Sequence, residues 1–557
     1  ESEVQQAAQR IADHYVPWQE STFPGLLGNV VAGRIANRLD LGGTNCVTDA
    51  ACASAFSAIS MAVNELYLGD SDVVIAGGAD TMSDILMHMC FSKTPALSKT
   101  GDVRPFSDQA DGTLLGEGIA IFAFKRLADA ERDGDKVYGV LKGIGSSSDG
   151  RSKSVYAPLA EGQAKAYTRA YANAGVEART IELVEAHGTG TKAGDAAEFS
   201  GLKSVFSQAG ASTQSVALGS VKSQIGHTKA TAGAAGFFKA LMAVRTAVLP
   251  PTIKVERPNP NLNIEKTPLY INTESRPWIR SKDHPRRAGV SAFGFGGSNF
   301  HILLEEYEGP NKAPRLRSWK HELCLYSAED APSLKQKLSL VLGRQHKILL
   351  PRLAWESQQS FDDTHPLRVS VVSSSRADLN DKLSQIVKKG FEEGYSLPTG
   401  IHVGVGQPWK GRKAFLFPGQ GSQTVNMGSD VAQALPQSLE VWDFSAELDR
   451  HTKREPLHQK VFPRPVFSEE AKKIQQADLT KTQWAQPAIG VASMALLNVL
   501  EDLNLKADCC AGHSYGELTA LYYANTFKAQ HFIQVSQKRG ELMNEAARLP
   551  GAMTAVK

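Results

Sequence analysis

The chain has 557 residues, of which 42% are hydrophobic and 21% are charged, and its formal net charge is +3. This length accommodates roughly two to four domains, and the composition is that of a globular protein. The small net charge, without a basic tract carrying interleaved aromatic residues, gives no reason to expect nucleic-acid binding. No apolar run approaches the ~18 residues of a membrane span, and no signal-peptide pattern opens the chain. We therefore expect a cytoplasmic protein without a membrane span.

The six cysteines are sparse for this length, and none stands at the spacing of a zinc site or of a disulfide framework. We therefore predict no metal site. The adjacent Cys509 and Cys510 lie in an apolar strand pattern and are expected to be buried core thiols. The chain opens inside a polar helical segment at residues 2–15 and stops after an apolar, strand-like segment at residues 552–556. Both ends indicate a piece of a longer polypeptide.

Residues 1–307 alternate short apolar runs with helical patterns. Residues 52–68 are apolar on almost every face, which predicts a buried helix. Strands alternating with helices predict a layered α/β fold. The buried-strand patterns lie at residues 72–77, 183–186 and 216–220.

The composition changes near residue 308. A polar stretch with two prolines is followed by a strand pattern at residues 367–373 and a helical pattern at residues 377–389. This part carries no catalytic constellation and is predicted to be a small α/β linker domain. A fresh strand at residues 413–417 opens the last part. The predicted domains are 1–307, 308–411 and 412–557.

Cys52 stands in the motif Thr48-Asp-Ala-Ala-Cys52-Ala-Ser54, at the start of the apolar helix. A helix N-terminus favours an anion, so we expect a lowered thiol pKa and a good nucleophile toward a thioester. Taken alone, the same cysteine would more often be a small buried apolar residue. The motif therefore needs independent support.

Two histidines supply that support. Each follows a strand pattern and stands inside a turn of small residues, in Glu185-Ala-His187-Gly-Thr-Gly-Thr and in Gly219-Ser-Val-Lys222-Ser-Gln-Ile-Gly-His227-Thr. One such histidine is more often structural, but two of them after a candidate nucleophile favour catalysis. His301, Asn259, Asn261, Cys46 and Cys90 carry no such pattern and are interpreted as structural.

These three motifs, in this order, resemble the ketoacyl synthase domains of type I polyketide synthases and fatty acid synthases. The resemblance implies a thiolase-like layered α/β/α domain, a homodimer, and a carrier-protein partner that presents acyl and malonyl-type thioesters on phosphopantetheine, with no cofactor bound directly. It implies that Cys52 accepts the acyl chain and that His187 and His227 assist decarboxylation of the extender. Lys222 would organise the site electrostatically and hold down the histidine pKa values.

A glycine-rich turn, Ala288-Gly-Val-Ser-Ala-Phe293-Gly-Phe295-Gly-Gly-Ser-Asn, completes the resemblance. By that match the Phe295 N–H joins the Cys52 N–H in an oxyanion hole, and Phe293 gates the acyl pocket. The alternative is a tight turn that only closes a strand pair. Two other stretches, Tyr15-Val-Pro-Trp and Cys90-Phe-Ser-Lys-Thr-Pro-Ala, resemble bacterial polyunsaturated fatty acid and heterocyst-glycolipid synthases.

The segment Ala511-Gly-His-Ser514-Tyr-Gly-Glu follows an apolar strand pattern and precedes a helical one, as in a nucleophile elbow. With Phe417-Pro-Gly-Gln420-Gly-Ser and Gln486-Pro-Ala, it resembles the malonyl-type acyltransferase domain of the same synthases, which has an α/β-hydrolase-like fold. The resemblance makes Ser514 the nucleophile, places Gln420 and the Tyr515 N–H at the oxyanion, and assigns Arg539 to the extender carboxylate. Its general base would lie beyond residue 557.

Two other classes remain open from the sequence. A degradative thiolase shares the fold and the cysteine, but would need a second cysteine where residues 293–299 offer none. A non-catalytic scaffold is disfavoured by the intact Cys52, His187 and His227. Iodoacetamide labelling is expected to distinguish an active enzyme from such a scaffold by showing one fast-reacting cysteine, Cys52.

Overall fold

The computed structural model describes most of the chain. The strand expected at residues 552–556 lies outside the described residues. So do residue 15, at the end of the predicted first helix, and residues 15 and 16 of the Tyr15-Val-Pro-Trp stretch. Pro95, in the stretch Cys90-Phe-Ser-Lys-Thr-Pro-Ala, also lies outside them. The described ranges are 1–14, 17–94, 96–151, 154–280, 283–315, 320–344, 348–407 and 411–546.

Among the described residues, the first part of the chain has ten strands and ten α-helices. The strands are β1 (Val73–Asp80), β2 (Gly118–Lys125), β3 (Val140–Ser148), β4 (Leu183–Glu185), β5 (Val216–Gly219), β6 (Val248–Leu249), β7 (Leu269–Ile271), β8 (Arg276–Pro277), β9 (Arg287–Gly294) and β10 (Ser298–Glu305). The helices are α1 (Ser2–Ala12), α2 (Thr22–Gly25), α3 (Val30–Leu39), α4 (Ser54–Leu68), α5 (Ile85–Lys93), α6 (Leu127–Asp133), α7 (Ala160–Ala174), α8 (Lys192–Gln208), α9 (Lys222–Ile225) and α10 (Ala232–Thr246).

Six of these strands form one mixed sheet in the order β3-β10-β9-β4-β5-β7. Strands β9, β4, β5 and β7 run parallel, whereas β10 pairs antiparallel with β9 and β3. Helices α7 and α8 pack together, with α7 against β3 and β10, and α10 packs against β9 and β4 as well as against β1 and β2. Helix α10 with α4 therefore forms a helical layer between two sheets. Every residue of β4 and β5 is buried, as their apolar patterns predicted.

The second sheet is the antiparallel pair β1–β2. Within the described ranges β1 pairs only with β2, and a groove of about 730 Å³ runs between β1, α3 and α4. The predicted burial of this strand was therefore wrong: Val73 is 53% exposed and Ile75 is 41% exposed. Helix α4 likewise buries Phe56 and Ile59 but exposes Tyr67. The reason is that one face of the pair has no packing partner among the described residues.

One helical stretch, Ala51–Leu68, is long and apolar enough to cross a membrane by length and composition alone. A third of it is buried in the fold, and its Phe56 and Ile59 lie in the hydrophobic core. A core helix passes the same test, so this stretch is weak support for a span.

A four-stranded sheet in the order β11-β12-β14-β13 follows, covered by three helices with their own core. The predicted strand at residues 367–373 was correct at both ends. The predicted helix at 377–389 starts one residue earlier, because the Ser375 side chain accepts from the Asp378 N–H and caps it. The elements are β11 (Glu322–Ala328), α11 (Ala331–Gly343), α12 (Leu350–Gln359), β12 (Leu367–Ser373), α13 (Arg376–Lys389), β13 (Tyr395–Leu397) and β14 (Ile401–Val405).

The last part joins a parallel strand pair to a helical layer. Cys509 is exposed and Cys510 is half-buried, so the prediction of two buried core thiols was wrong. A two-stranded sheet leaves part of each strand uncovered. The elements are β15 (Ala414–Phe417), α14 (Ser429–Ala434), α15 (Pro436–His451), α16 (His458–Val461), α17 (Glu469–Thr480), α18 (Thr482–Asp502), β16 (Cys509–Gly512), α19 (Gly516–Tyr523) and α20 (Ala529–Ala546).

The first and last parts contact each other through buried arginines. The Arg286 guanidinium pairs with Glu306 at 2.7 Å and with Asp443 of α15 at 2.7 Å. Arg276 donates to the carbonyl oxygens of Phe462 and Pro463. The domain boundaries at 307 and 411 stay predictions.

Candidate active site

Cys52 lies in a single 3-10 turn, Ala51–Ala53, immediately before α4. The Ser54 hydroxyl holds this turn, since it donates to the Ala51 carbonyl and accepts from the Ala50 N–H. The end of β9 presses against the turn: a Cβ on Gly294 would lie 2.0 Å from the Ala50 carbonyl oxygen. Glycine at this position lets the β9–β10 hairpin approach the cysteine.

Two backbone N–H groups reach the Cys52 thiol, its own and that of Phe295. This is the pair that the sequence assigned to an oxyanion hole. The expected lowering of the thiol pKa was wrong, however. Burial raises the Cys52 pKa to about 11, and the Lys222 cation and the two N–H groups offset only part of that rise. The thiol therefore keeps its proton at neutral pH.

His187 and His227 lie side by side, with ring centroids 5.3 Å apart and planes nearly perpendicular. The Nδ1 atom of His187 accepts from the Phe293 N–H at 3.3 Å, and that of His227 accepts from the Lys229 N–H at 3.1 Å. A neutral imidazole whose Nδ1 accepts carries its proton on Nε2. Both rings can therefore donate from Nε2.

Both histidines stay neutral in this setting. Burial lowers the pKa of each ring well below its ordinary value, and the Lys222 cation lowers it further. Lys222 itself is buried at the start of α9, where desolvation lowers its pKa although the carboxylates of Glu198 and Glu185 oppose that effect. The Lys222 charge thus acts on both rings, while the role assigned to it in catalysis stays a prediction.

Phe293 and Phe295 occupy different surroundings. Phe293 is 8% exposed and packs on the His187 ring, with centroids 5.5 Å apart. Phe295 is 46% exposed and contacts the rings of Phe91 and Tyr156. The gating role of Phe293 stays a prediction, and of the two rings of the turn Phe295 is the exposed one.

Two buried acids of α8 were missed from the sequence. The Glu198 carboxylate accepts the N–H groups of His187 and Gly188 at 2.8 and 2.7 Å, and Asp195 accepts those of Phe106 and Gly190. Burial raises the pKa of each to about 7, against the lowering effect of these hydrogen bonds. Their signal was two acids one helical turn apart on the same face of α8 as the buried Leu202 and Phe206.

Ser514 forms a nucleophile elbow between β16 and α19. Its backbone adopts φ = 53°, a left-handed conformation that costs free energy in a residue other than glycine. The side chain is exposed. A Cβ on Gly512 would lie 2.0 Å from the Gly516 carbonyl carbon, so the tight strand–helix turn depends on glycine.

The other predicted acyltransferase residues converge on Gln486 of α18. Its Nε2 donates to the Gln420 Oε1 at 3.4 Å, and its Oε1 accepts from the Arg539 Nη1 at 2.6 Å. The Arg539 guanidinium lies 5.9 Å from the Tyr515 ring centroid. Tyr515 is buried, and its hydroxyl forms a hydrogen bond with the Ser536 hydroxyl. Arg539 therefore faces the interior of this domain rather than forming part of a solvated helix face.

Comparisons with known families cover nearly all of these parts. Residues 2–130 match the β-ketoacyl synthase N-terminal domain and residues 138–256 its C-terminal domain. Residues 258–371 match the ketoacyl-synthetase C-terminal extension, and residues 414–557 match the acyl transferase domain. The chain belongs to the β-ketoacyl synthase family and carries an acyltransferase domain behind the synthase. It is therefore a transferase, as the motifs around Cys52 and Ser514 indicated.

Similar proteins come from two kinds of synthase. A polyunsaturated fatty acid synthase subunit of a Thraustochytrium species is 36% identical over 100% of this chain, which covers 21% of that protein. Polyketide synthase GfsA of Streptomyces halstedii is 35% identical over 96% of this chain and 7% of its own length. The chain thus spans a minor part of these relatives.

Among solved structures, the ketosynthase from module 6 of the bacillaene synthase of Bacillus subtilis 168 is 32% identical to this chain. It gives a TM-score of 0.50 and is matched over 68% of this chain and 65% of its own chain. The predicted thiolase-like layered fold is confirmed by this likeness and by the two family matches of the synthase part.

Proposed function

We propose that this β-ketoacyl synthase condenses an acyl group on Cys52 with a malonyl-type extender, both delivered as thioesters on the phosphopantetheine arm of a carrier domain. The observation that supports this most directly is the pair of neutral imidazoles, His187 and His227, whose Nδ1 atoms both accept backbone N–H groups. Their Nε2–H groups remain for a thioester oxygen.

The first half-reaction transfers the acyl group. The Cys52 sulfur attacks the thioester carbonyl carbon, the phosphopantetheine thiol leaves, and the proton of Cys52 goes to that thiol. The carbonyl oxygen becomes negative in the tetrahedral intermediate and lies between the N–H groups of Cys52 and Phe295. Since the thiol pKa is about 11, attack requires proton removal during the approach of the substrate rather than a standing thiolate.

The second half-reaction joins carbon to carbon. The bond between the malonyl carboxylate and its α-carbon breaks, CO2 leaves, and the electron pair forms an enolate. Two Nε2–H donors stabilise the enolate oxygen where charge develops, each contributing roughly 3–4 kcal/mol. The enolate carbon then attacks the acyl carbonyl, and Cys52 leaves as a thiolate that is reprotonated.

We propose that Ser514 loads the malonyl-type extender, with the Tyr515 N–H and the Gln420 side chain stabilising the oxyanion. Arg539 would hold the extender carboxylate, since its guanidinium is oriented by Gln486 and a guanidinium binds a carboxylate through two parallel hydrogen bonds. The transfer step would need a base outside the residues described.

We also propose a homodimer built on the face that carries α5. On this short helix Ile85, Leu86 and Met89 are 80%, 67% and 56% exposed, and Met82 beside it is 61% exposed. Such a patch is typical of an interface. Sedimentation of the protein and of Met89→Lys tests this: a dimer that the charge converts to a monomer supports the proposal, and a monomeric wild type contradicts it.

The product class and compartment are proposals as well. The similarity to a synthase of polyunsaturated fatty acids supports a fatty acid product, and polyketide synthases of nearly equal identity make a polyketide the second candidate. A cytoplasmic location is consistent with the six free cysteines among the described residues. Fractionation of cells would test the cytoplasmic location, which predicts that the protein is recovered in the cytoplasmic fraction.

The condensation is tested with the purified protein, an acyl thioester and a malonyl-carrier thioester. Release of CO2 and formation of the β-ketoacyl product are measured together. Cys52→Ala is expected to abolish product while leaving CO2 release, because decarboxylation needs the histidines and not the sulfur. Product formation by Cys52→Ala would refute the mechanism.

A further inference from the structure

Lys229 is a buried cation in the turn that carries His227, and none of the roles above involves its side chain. Its side chain is 7% exposed and its ammonium group is fully engaged by three oxygen atoms. These are Asp80 Oδ1 at 3.0 Å, Ser83 Oγ at 2.9 Å and the Gly116 carbonyl at 2.8 Å. A lysine has three donors, so this cage satisfies all of them.

The backbone of Lys229 is strained. Its φ is 51°, in the left-handed region that glycine adopts without cost and lysine does not. Strain of this kind persists only where surrounding contacts hold it. The Lys229 side chain supplies such a contact, and Asp80 secures the next residue too by accepting the Ala230 N–H at 3.2 Å.

The strained conformation has a consequence for His227. It directs the Lys229 N–H to the His227 Nδ1, 3.1 Å away, and this bond assigns the ring proton to Nε2. The rest of the turn is fixed as well: the His227 N–H donates to the Leu114 carbonyl, and the Gly116 N–H donates to the His227 carbonyl. The ring and its tautomer are therefore set by the turn.

We propose that the Lys229–Asp80 ion pair is a positioning device for His227, which holds the turn so that the imidazole presents Nε2–H to the extender thioester. The proposal rests on the proposed part of His227 in decarboxylation. It predicts that loss of the pair damages the step that uses His227 and spares the acylation of Cys52, which uses backbone N–H groups.

The pair also acts on the charge of the ring. The Lys229 cation, with Lys222, helps to lower the pKa of His227 after burial has done so. Removing the ammonium should raise the pKa of His227. As the pH is lowered, the ring would then become protonated, and decarboxylation would be lost, at a higher pH than in the wild type. The charged and titratable groups beside this turn include Lys222 of α9, His187 after β4, Asp80 of β1, Cys52 and Lys229 itself. Glu117 accepts the Ser83 N–H next to the Lys229 ammonium.

The experiment compares Lys229→Met, Asp80→Asn and the double variant. Acylation of Cys52 is followed by mass spectrometry, and decarboxylation of a malonyl thioester by CO2 release from mildly acidic to mildly basic pH. We expect decarboxylation to fall by roughly 100-fold, as for a misplaced reacting group, with acylation unchanged. The acid limb should move to higher pH in Lys229→Met, which loses the cation, but not in Asp80→Asn, which keeps it. The double variant should be no worse than Lys229→Met, because the two residues act as one unit.

Lys382→Met is the matched control, since Lys382 also forms an ion pair, with Asp378 of α13, that is partly buried but lies outside the synthase site. It should leave both half-reactions intact. Equal losses of acylation and decarboxylation in Lys229→Met would mean a structural role and overturn the proposal, as would unchanged decarboxylation with an unmoved acid limb. His227→Ala separates the two ideas: if it decarboxylates normally, the proposed function of His227 fails, whatever Lys229 does.

Discussion

The Phe293 N–H donates to the Nδ1 of His187 at 3.3 Å, although Phe293 lies on β9 and His187 lies in the loop after β4. The bond joins the glycine-rich turn that carries Phe295 to the first histidine motif. The bond thereby links the proposed oxyanion hole at Cys52 to the proposed donor for the enolate oxygen. The two proposed half-reactions would share this part of the backbone.

The two histidines should matter for decarboxylation more than for acyl transfer. Replacing His187 or His227 by Ala removes one Nε2–H donor from the enolate oxygen and should slow CO2 release by roughly 100- to 1,000-fold. Acylation of Cys52 should change far less, because its oxyanion is held by backbone N–H groups. Single-turnover assays of each half-reaction measure the two effects, and equal losses in both would contradict this division.

The reactivity of Cys52 should rise steeply with pH. Burial raises its pKa to about 11, so the thiolate fraction increases about tenfold per pH unit below that value. The exposed Cys46, Cys90 and Cys509 should be alkylated first near neutral pH. Residue-resolved iodoacetamide labelling tests this. A fast reaction of Cys52 at neutral pH that levels off just above neutrality would show that the thiol is activated instead.

The slow labelling of Cys52 at neutral pH is the opposite of what the sequence led us to expect, because the sequence shows motifs but not burial. Motif order located Cys52, His187, His227 and Ser514, because each stands beside glycines and small residues that form a recognisable turn. The motif gave no measure of desolvation, which depends on everything packed around the thiol. Lys229 and Glu198 were missed for a related cause: a single charged residue in a sequence is usually solvated, and their partners lie in other segments.

The fold was predictable where pattern and packing coincide. Strand β12 was predicted at both ends because its residues alternate between core and surface. Helix α4, apolar on almost every face, was predicted to be a buried helix, yet Tyr67 is exposed. An apolar sequence allows any face of a helix to be buried. The neighbouring elements determine which faces are buried.

Glu198 should stabilise the loop after His187. Glu198→Ala leaves two backbone N–H groups without an acceptor, and each should cost roughly 1–3 kcal/mol of unfolding free energy. Glu198→Gln keeps one acceptor and should cost less. Denaturant unfolding measures both variants. Equal stabilities of wild type and Glu198→Ala would mean that water replaces the carboxylate.

The pH dependence of stability provides a second test of this carboxyl group. Its pKa is about 7 in the folded protein and 4.5 ordinarily, so the folded state binds the proton more tightly. The contribution to stability is therefore present below pH 4.5 and is lost as pH rises through about 7. Glu198→Gln should flatten the decline of the unfolding free energy between these two values. An unchanged slope would place the pKa of Glu198 below this range.

Gly294 should tolerate no side chain. A Cβ there would lie 2.0 Å from the Ala50 carbonyl oxygen, so Gly294→Ala must push β9 away from the turn that holds Cys52. Overpacking of this kind costs roughly 1–3 kcal/mol. It should also separate the Phe295 N–H from the sulfur and slow the acylation of Cys52. Gly343→Ala is the control, because Gly343 lies at the end of α11 with open space around its Cβ position. Thermal unfolding together with the acylation rate decides the matter: a Gly294→Ala protein that acylates at the wild-type rate would show that the hairpin need not lie so close to the cysteine.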